Sequence, residues 1–215
     1  MRKNWMKKLL SVAAVSTLGL ILAACGNDSD TAGGDSDQEI VKIGILQFME
    51  HNSLNAAREG FVKELEEAGY VEGENLEIEV MNAQGDQSNL QTMSEQLASN
   101  NDLMLAIATP AAQSLANAEQ EKPILFTAVT DPVDAGLVES LEAPGMNLTG
   151  TSDMVPIDEQ IRLLLSIVPD AETIGIIYNS SEPNSEIQAN LAIEALEEAG
   201  VDAQVSTVTT TNDVQ

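Results

Sequence analysis

Two short segments of the 215-residue chain occur twice at one spacing, and that spacing restricts the fold more than any other feature. Ile43-Gly44-Ile45 returns as Ile174-Gly175-Ile176, and Leu65-Glu66-Glu67-Ala68-Gly69 returns as Leu196-Glu197-Glu198-Ala199-Gly200, both 131 positions on (174 − 43 and 196 − 65). The first motif reads as strand and the second as a helix end closed by glycine, so the pair describes a duplicated strand-helix unit. Coincidence is the competing reading, because each motif alone is common. A shared offset argues for duplication.

Around these motifs, apolar runs alternate with amphipathic stretches. Residues 41–48 are rich in Ile, Val and Leu and fit a buried parallel strand. Leu54, Ala57, Phe61 and Leu65 then recur at helical spacing, with Asn52 and Ser53 as caps and Gly69 as the stop. A strand over 76–83 follows, then a helix from Ser88 to about Ser99 with Leu90, Met93 and Leu97 on one face. Next come a strand over 103–109, a helix opened by Pro110 and running to Glu119, and a strand over 124–129. Residues 147–151 again read as strand, and Ile157 to Val168 as an amphipathic helix ended by Pro169.

No hairpin signal interrupts the alternation, which predicts an α/β fold with parallel sheets and helices on both faces. The first copy of the unit continues through two further helices and two further strands. The second is expected to stop after a strand over 202–209, where residues 210–215 would enter its next helix. The expectation is a doubly wound lobe over 40–150 and a crossover with an incomplete second lobe over 151–215, in a chain cut from a longer one.

Arg2, Lys3, Lys7 and Lys8 precede an apolar run over 9–24, the pattern of an export signal that is not part of the fold. A transmembrane anchor is the competing reading, but the run falls short of the roughly 20 residues needed to span a bilayer. It ends in Leu22-Ala23-Ala24-Cys25, which resembles the lipobox of bacterial lipoproteins, whose cysteine is diacylated and becomes the new N-terminus. Cys25 is the sole cysteine, so no intramolecular disulfide can form, and it is best read as a lipid attachment point. Residues 26–39 contain no large apolar side chain and read as a flexible acidic linker. Residues 1–25 as signal and Cys25 as anchor imply an exported protein held at the outer face of the cell membrane.

Removing residues 1–25 takes away four of the nine Lys and Arg and none of the 35 Asp and Glu, leaving a net charge of 5 − 35 = −30. Nucleic acid is excluded as a partner, because phosphate binding needs clustered cations. So many carboxylates make a solvated, self-repelling surface; a sharper reading is adaptation to a saline exterior that screens the repulsion.

Open parallel sheets bind ligands beyond the carboxyl ends of their strands. The loops there contain Gln47, Glu50 and His51 after the first strand, Thr109, Pro110 and Ala111 after the third, and Thr130 and Asp131 after the fourth. Tyr178, Asn179, Glu182, Asn184 and Ser185 follow the repeated strand. A helix start at Thr109 suits a carboxylate, since the first N–H groups lack partners and the helix dipole favours negative charge; Ala111 and Ala112 leave it space. An ordinary helix cap is the alternative. Glu50, Asp131 and Glu182 are candidates to pair with a ligand ammonium, although any one carboxylate here is more often solvated.

Nothing points to catalysis. His51 is the only histidine, so no zinc site can be assembled from His and Cys. No Gly-x-Ser-x-Gly, Gly-x-x-x-x-Gly-Lys or Gly-x-Gly-x-x-Gly pattern occurs. No enzyme activity, cofactor or metal is expected.

Five motifs together resemble one family. They are residues 44–51 (GILQFMEH), 108–112 (ATPAA), 126–132 (FTAVTDP), 148–153 (LTGTSD) and 178–185 (YNSSEPNS). The resemblance is to ABC-transporter substrate-binding lipoproteins of the type that includes tryptophan and tyrosine binders. It implies a type I periplasmic-binding-protein-like fold whose two lobes close on a small ligand, an amino acid with the aromatic type favoured, and deliver it to a membrane permease driven by an ATPase. Residues 149–153 fall where that family crosses between lobes. The chain departs from the family at Asn52 and Asn55, where a proline and an acidic residue are usual. The alternative function is a ligand-sensing ectodomain coupled to a membrane receptor.

Overall fold

The computed structural model describes residues 40–214; Cys25, the export signal and the linker over 26–39 lie outside the described residues. The first lobe is built on five parallel strands: β1 (Val41–Gln47), β2 (Leu76–Asn82), β3 (Leu103–Ile107), β4 (Ile124–Val129) and β5 (Leu148–Ser152). They are ordered β2-β1-β3-β4-β5, a doubly wound arrangement. Strands buried on both faces need an unbroken run without charge or large polar groups, and β1 supplies one from Ile43 to Leu46, all buried, before the buried polar Gln47 at its end.

The intervening helices are α1 (Asn52–Glu67), α2 (Gln87–Asn100) and α3 (Thr109–Ala118). Helix α1 covers Ile43, Ile45, Leu105 and Ile107 with Leu54, Phe61 and Leu65. Helices α2 and α3 cover the opposite face, where Leu90, Leu97 and Leu115 pack on Leu46, Met104, Ala106 and Phe126. Each such fully buried aliphatic side chain contributes about 1.5–3 kcal/mol. Close approach sets two glycines. A Cβ at Gly44 would lie 2.9 Å from Asn101 Nδ2 and 3.0 Å from Leu97 Cδ2, and one at Gly150 would collide with the Phe126 carbonyl oxygen on the paired strand.

A second sheet pairs β6 (Thr173–Asn179) in parallel with β7 (Asp202–Val208). Helix α5 (Pro183–Glu198) connects them and packs on both, while α4 (Ile157–Ile167) packs on α5. The duplication is structural. Moving α1 forward by 131 positions gives the bounds of α5 (52 to 183, 67 to 198), and Gly69 and Gly200 end both helices at φ 92° and 76°. The copies diverge only afterwards: residues 68–75 separate α1 from β2, whereas 199–201 suffice between α5 and β7. Among the described residues the second sheet has two strands where the first has five.

Three local expectations are corrected. Asn52 and Ser53 lie inside α1 and do not cap it; the cap is His51, whose extended backbone brings Nδ1 to accept the Ser53 N–H at 3.2 Å. Thr109 ends no strand but is the first residue of α3, because the chain turns at Ala108. Residues 210–214 enter no α-helix: a 3-10 turn spans Thr211–Asp213, closed by the Asp213 carboxylate accepting the N–H groups of Thr209 and Thr210 at 3.0 and 2.9 Å.

Candidate ligand-binding site

The carboxyl ends of β3 and β4 bring Thr109, Thr130 and Asp131 to one edge of the first sheet, since the Ala108 N–H bonds the Thr127 carbonyl at 3.0 Å across it. Ala108 has φ 86° and ψ 153°, a region that costs a residue with a side chain about 1–3 kcal/mol. That conformation starts α3 without any side-chain cap. Thr109 is only 2% exposed, and its Oγ1 is buried without a hydrogen-bond partner. Leaving such a hydroxyl unpaired costs about 1–3 kcal/mol. An uncapped helix start beside an unpaired buried hydroxyl has the chemistry to accept a small anion such as a carboxylate.

Strain recurs along this edge. Ala128 in β4 has φ 55°, and the β4–β5 register slips between Phe126 and Val129. Thr130 is buried, with its carbonyl accepting Ser152 Oγ at 2.7 Å. Asp131 Oδ1 accepts the N–H groups of Val133 and Asp134, both at 3.0 Å, which fixes the loop after β4. Pro110 and Ala111 are buried in the body of the lobe. So is Ala112, so the two alanine methyls fill the core and do not line open space. A groove of about 650 Å3 lies along α2 and α3, lined by Gln87, Gln91, Gln113 and Asn117 among others, but neither Thr109 nor Thr130 nor Asp131 borders it. Chemistry favours the Thr109 edge over the groove.

At the end of β1, Gln47 is fully buried and Glu50 exposed. Gln47 bonds Met49, Asn55 and Arg58, and Glu50 accepts from Asn55 and Asn82. His51 is occupied as the α1 cap. Asn55, Arg58 and Asn82 are the polar residues of this edge that reading the loops alone overlooks. The available signal was the spacing of Asn55 and Arg58, three apart and so on one face of α1.

In the second lobe, Tyr178 and Asn179 end β6. Asn179 Nδ2 donates to Glu182 at 2.7 Å, and its Oδ1 accepts the Ser181 N–H and hydroxyl at 3.0 and 2.7 Å. Glu182 is the N-cap position of α5, Asn184 and Ser185 lie in its first turn, and Asn184 Oδ1 is buried without a partner. Among the described residues, no hydrogen bond or ion pair joins this loop to those of the first lobe. Each lobe therefore offers its own set of polar groups at a helix start.

A parallel sheet of order 2-1-3-4-5, followed by a second copy of its opening strand-helix unit, is the architecture of the type I periplasmic-binding-protein fold. Within that class the chain belongs to the ABC transporter substrate binding protein family, which it matches over residues 42–215. It is 45% identical over 191 residues to a "Tyrosine-binding protein" of Clostridioides difficile (strain R20291), covering 86% of this chain and 55% of the relative. A Streptococcus pneumonia structure in complex with L-Trp is 43% identical, with TM-score 0.77, over 82% of this chain and 60% of that one. The ligand-free, open structure of a Clostridium difficile substrate-binding protein with adhesive properties is 46% identical with TM-score 0.62, over 81% and 60%. The chain thus spans 55–60% of the length of these relatives.

Proposed function

We propose that this protein is the amino-acid-capturing component of an ABC importer, with an aromatic amino acid as its ligand. The observation that carries this is the start of α3, where a strained Ala108 presents an uncapped helix end and the unpaired Thr109 hydroxyl. A ligand carboxylate there would satisfy groups that otherwise cost the folded state free energy. Glu50 and Asp131 are the nearby candidates for the ammonium. The names of the relatives support the aromatic assignment, since one is a tyrosine-binding protein and another was crystallised with L-Trp. Contacts made by both lobes only when closed would convert binding into a change of shape that a permease can read.

In this reading residues 1–25 direct export, Cys25 carries the lipid, and the linker over 26–39 gives the domain reach from the outer face of the membrane to the permease and its ATPase. Isothermal titration of the full-length protein with the common L-amino acids tests the ligand. A saturable heat with L-tryptophan or L-tyrosine, and none with L-aspartate or L-lysine, is the expected outcome. No heat with any aromatic amino acid overturns the assignment.

A further inference from the structure

Among the described Lys and Arg residues, Arg58 and Lys122 form no ion pair. Lys42 pairs with Glu77, Lys63 with Glu67 and Arg162 with Asp158. Lys122 donates to the carbonyls of Ala98 and Asn101 at 2.6 and 2.9 Å. Arg58, partly buried on α1, instead donates through Nη1 to the side-chain oxygen of Gln47 at 3.0 Å. Gln47 passes the interaction on: its Nε2 donates to Asn55 Oδ1 and to the Met49 carbonyl, each at 2.7 Å. Asn55 Nδ2 then donates to Glu50 Oε1 at 2.5 Å, while Asn82 Nδ2 reaches Glu50 Oε2 at 3.2 Å.

The order Arg58, Gln47, Asn55, Glu50 has a direction. A guanidinium can only donate and a carboxylate can only accept, so both amides are fixed with oxygen toward Arg58 and nitrogen toward Glu50. Reversing either would set donor against donor or oxygen against oxygen. In a shielded place, bonds aligned this way strengthen one another. Asn82 is itself held, its Oδ1 accepting the N–H of Gln84 at 2.8 Å, where the backbone takes φ 56°. Glu50 is thereby gripped through both oxygens by neutral amides. No described cation lies within ion-pair distance of it, so its charge is uncompensated. Asp131, by contrast, spends one oxygen on two main-chain N–H groups of its own loop.

We infer that Arg58, acting through Gln47 and Asn55, is the positioning residue that aims Glu50 at the ammonium group of an amino-acid ligand, a role that rests on the amino-acid reading above. A carboxylate already immobilised loses little freedom when it takes up an ammonium. Without the donor at position 58, the buried Gln47 oxygen is unpaired, and the aligned bonds that run on through Asn55 to Glu50 lose the positive end that polarises them.

The test compares ligands that differ only in the ammonium. The full-length protein and its R58M, R58K and E50Q variants are titrated with L-tryptophan and L-tyrosine, and with their des-amino analogues 3-(indol-3-yl)propionate and 3-(4-hydroxyphenyl)propionate. R58M and E50Q are each expected to weaken the amino acid by about tenfold or more, as losing a charge-assisted bond does, and to leave the analogue within about twofold. R58K, which keeps a charged donor, recovers part of the loss, and R58M adds nothing in the E50Q background. If R58M is too unstable to titrate, Asn55→Leu breaks the chain one link further on and must show the same selectivity. Equal losses for amino acid and analogue, or additive losses in the double variant, make Arg58 merely structural and overturn the inference alone. A wild-type protein that binds neither amino acid overturns the amino-acid reading and the inference together.

Discussion

Thr109 is where stability and binding pull in opposite directions. Its hydroxyl is buried and unpaired at an uncapped helix start, so it contributes nothing to the ligand-free fold and instead costs about 1–3 kcal/mol. Valine has nearly the same shape without the oxygen. Thr109→Val is therefore expected to hold or raise the urea midpoint of the ligand-free protein, by the equivalent of about 1 kcal/mol. It should weaken a carboxylate-bearing ligand by about tenfold. Urea melts and titration of the same preparation check both signs, and a variant that loses stability while binding normally would remove Thr109 from the site. The threonine was legible in the sequence, because Thr-Pro after an apolar run marks a helix start at a strand end. The strain at Ala108 was not, since alanine gives no signal of a positive φ that glycine usually supplies. Arg58 escaped for another reason, and Asn55 stood out only as a departure from the family: reading α1 by its apolar positions passes over the polar residues that share its inner face.

Helix starts also decide how the elements respond to pH. Asp86 caps α2, and its carboxyl is held below the usual aspartate range first by the hydroxyl of Ser88, then by the N–H groups of Ser88 and Asn89 at 2.8 and 3.3 Å. A depressed value means that the folded state prefers the carboxylate. The stabilisation is complete above the value of the unfolded chain and disappears as pH falls through the lower folded one. Asp86→Asn keeps an acceptor over the first turn but cannot titrate. Its urea midpoint should fall less steeply than that of the wild type between about pH 5 and pH 2, and parallel curves would show that the cap is not coupled to acid unfolding. Elements of this kind were the most legible part of the chain. Strand β4 lies at 124–129 as its apolar run predicts, and α4 ends one residue short of Val168. Boundaries failed where an unusual group performs a common task, as His51 does in capping α1. The shorter link before β7 was legible as well, since the strand expected over 202–209 directly after Gly200 is β7, at Asp202–Val208.

The whole molecule is governed by a charge that its few ion pairs do not offset. The duplicated unit made two lobes legible in the sequence, yet how the acidic residues distribute over them depends on which helix covers which face. Helices α1 and α5 each carry four glutamates, whereas α2 carries one and α3 no charged residue at all. The four described ion pairs are all exposed, and such pairs contribute at most about 1 kcal/mol each. With a formal net charge of −26 over the whole chain, like-charge repulsion in the folded state outweighs them. Raising sodium chloride from about 0.01 M to 1 M shortens the screening length from about 30 Å to 3 Å. The thermal midpoint is therefore expected to rise continuously over that range, and to do so equally in potassium chloride, because screening depends on ionic strength and not on the identity of the cation. A midpoint indifferent to salt would mean that the acidic surface is already neutralised by its own solvation, and would remove the case for a saline exterior. A jump confined to one cation at low concentration would instead indicate specific binding.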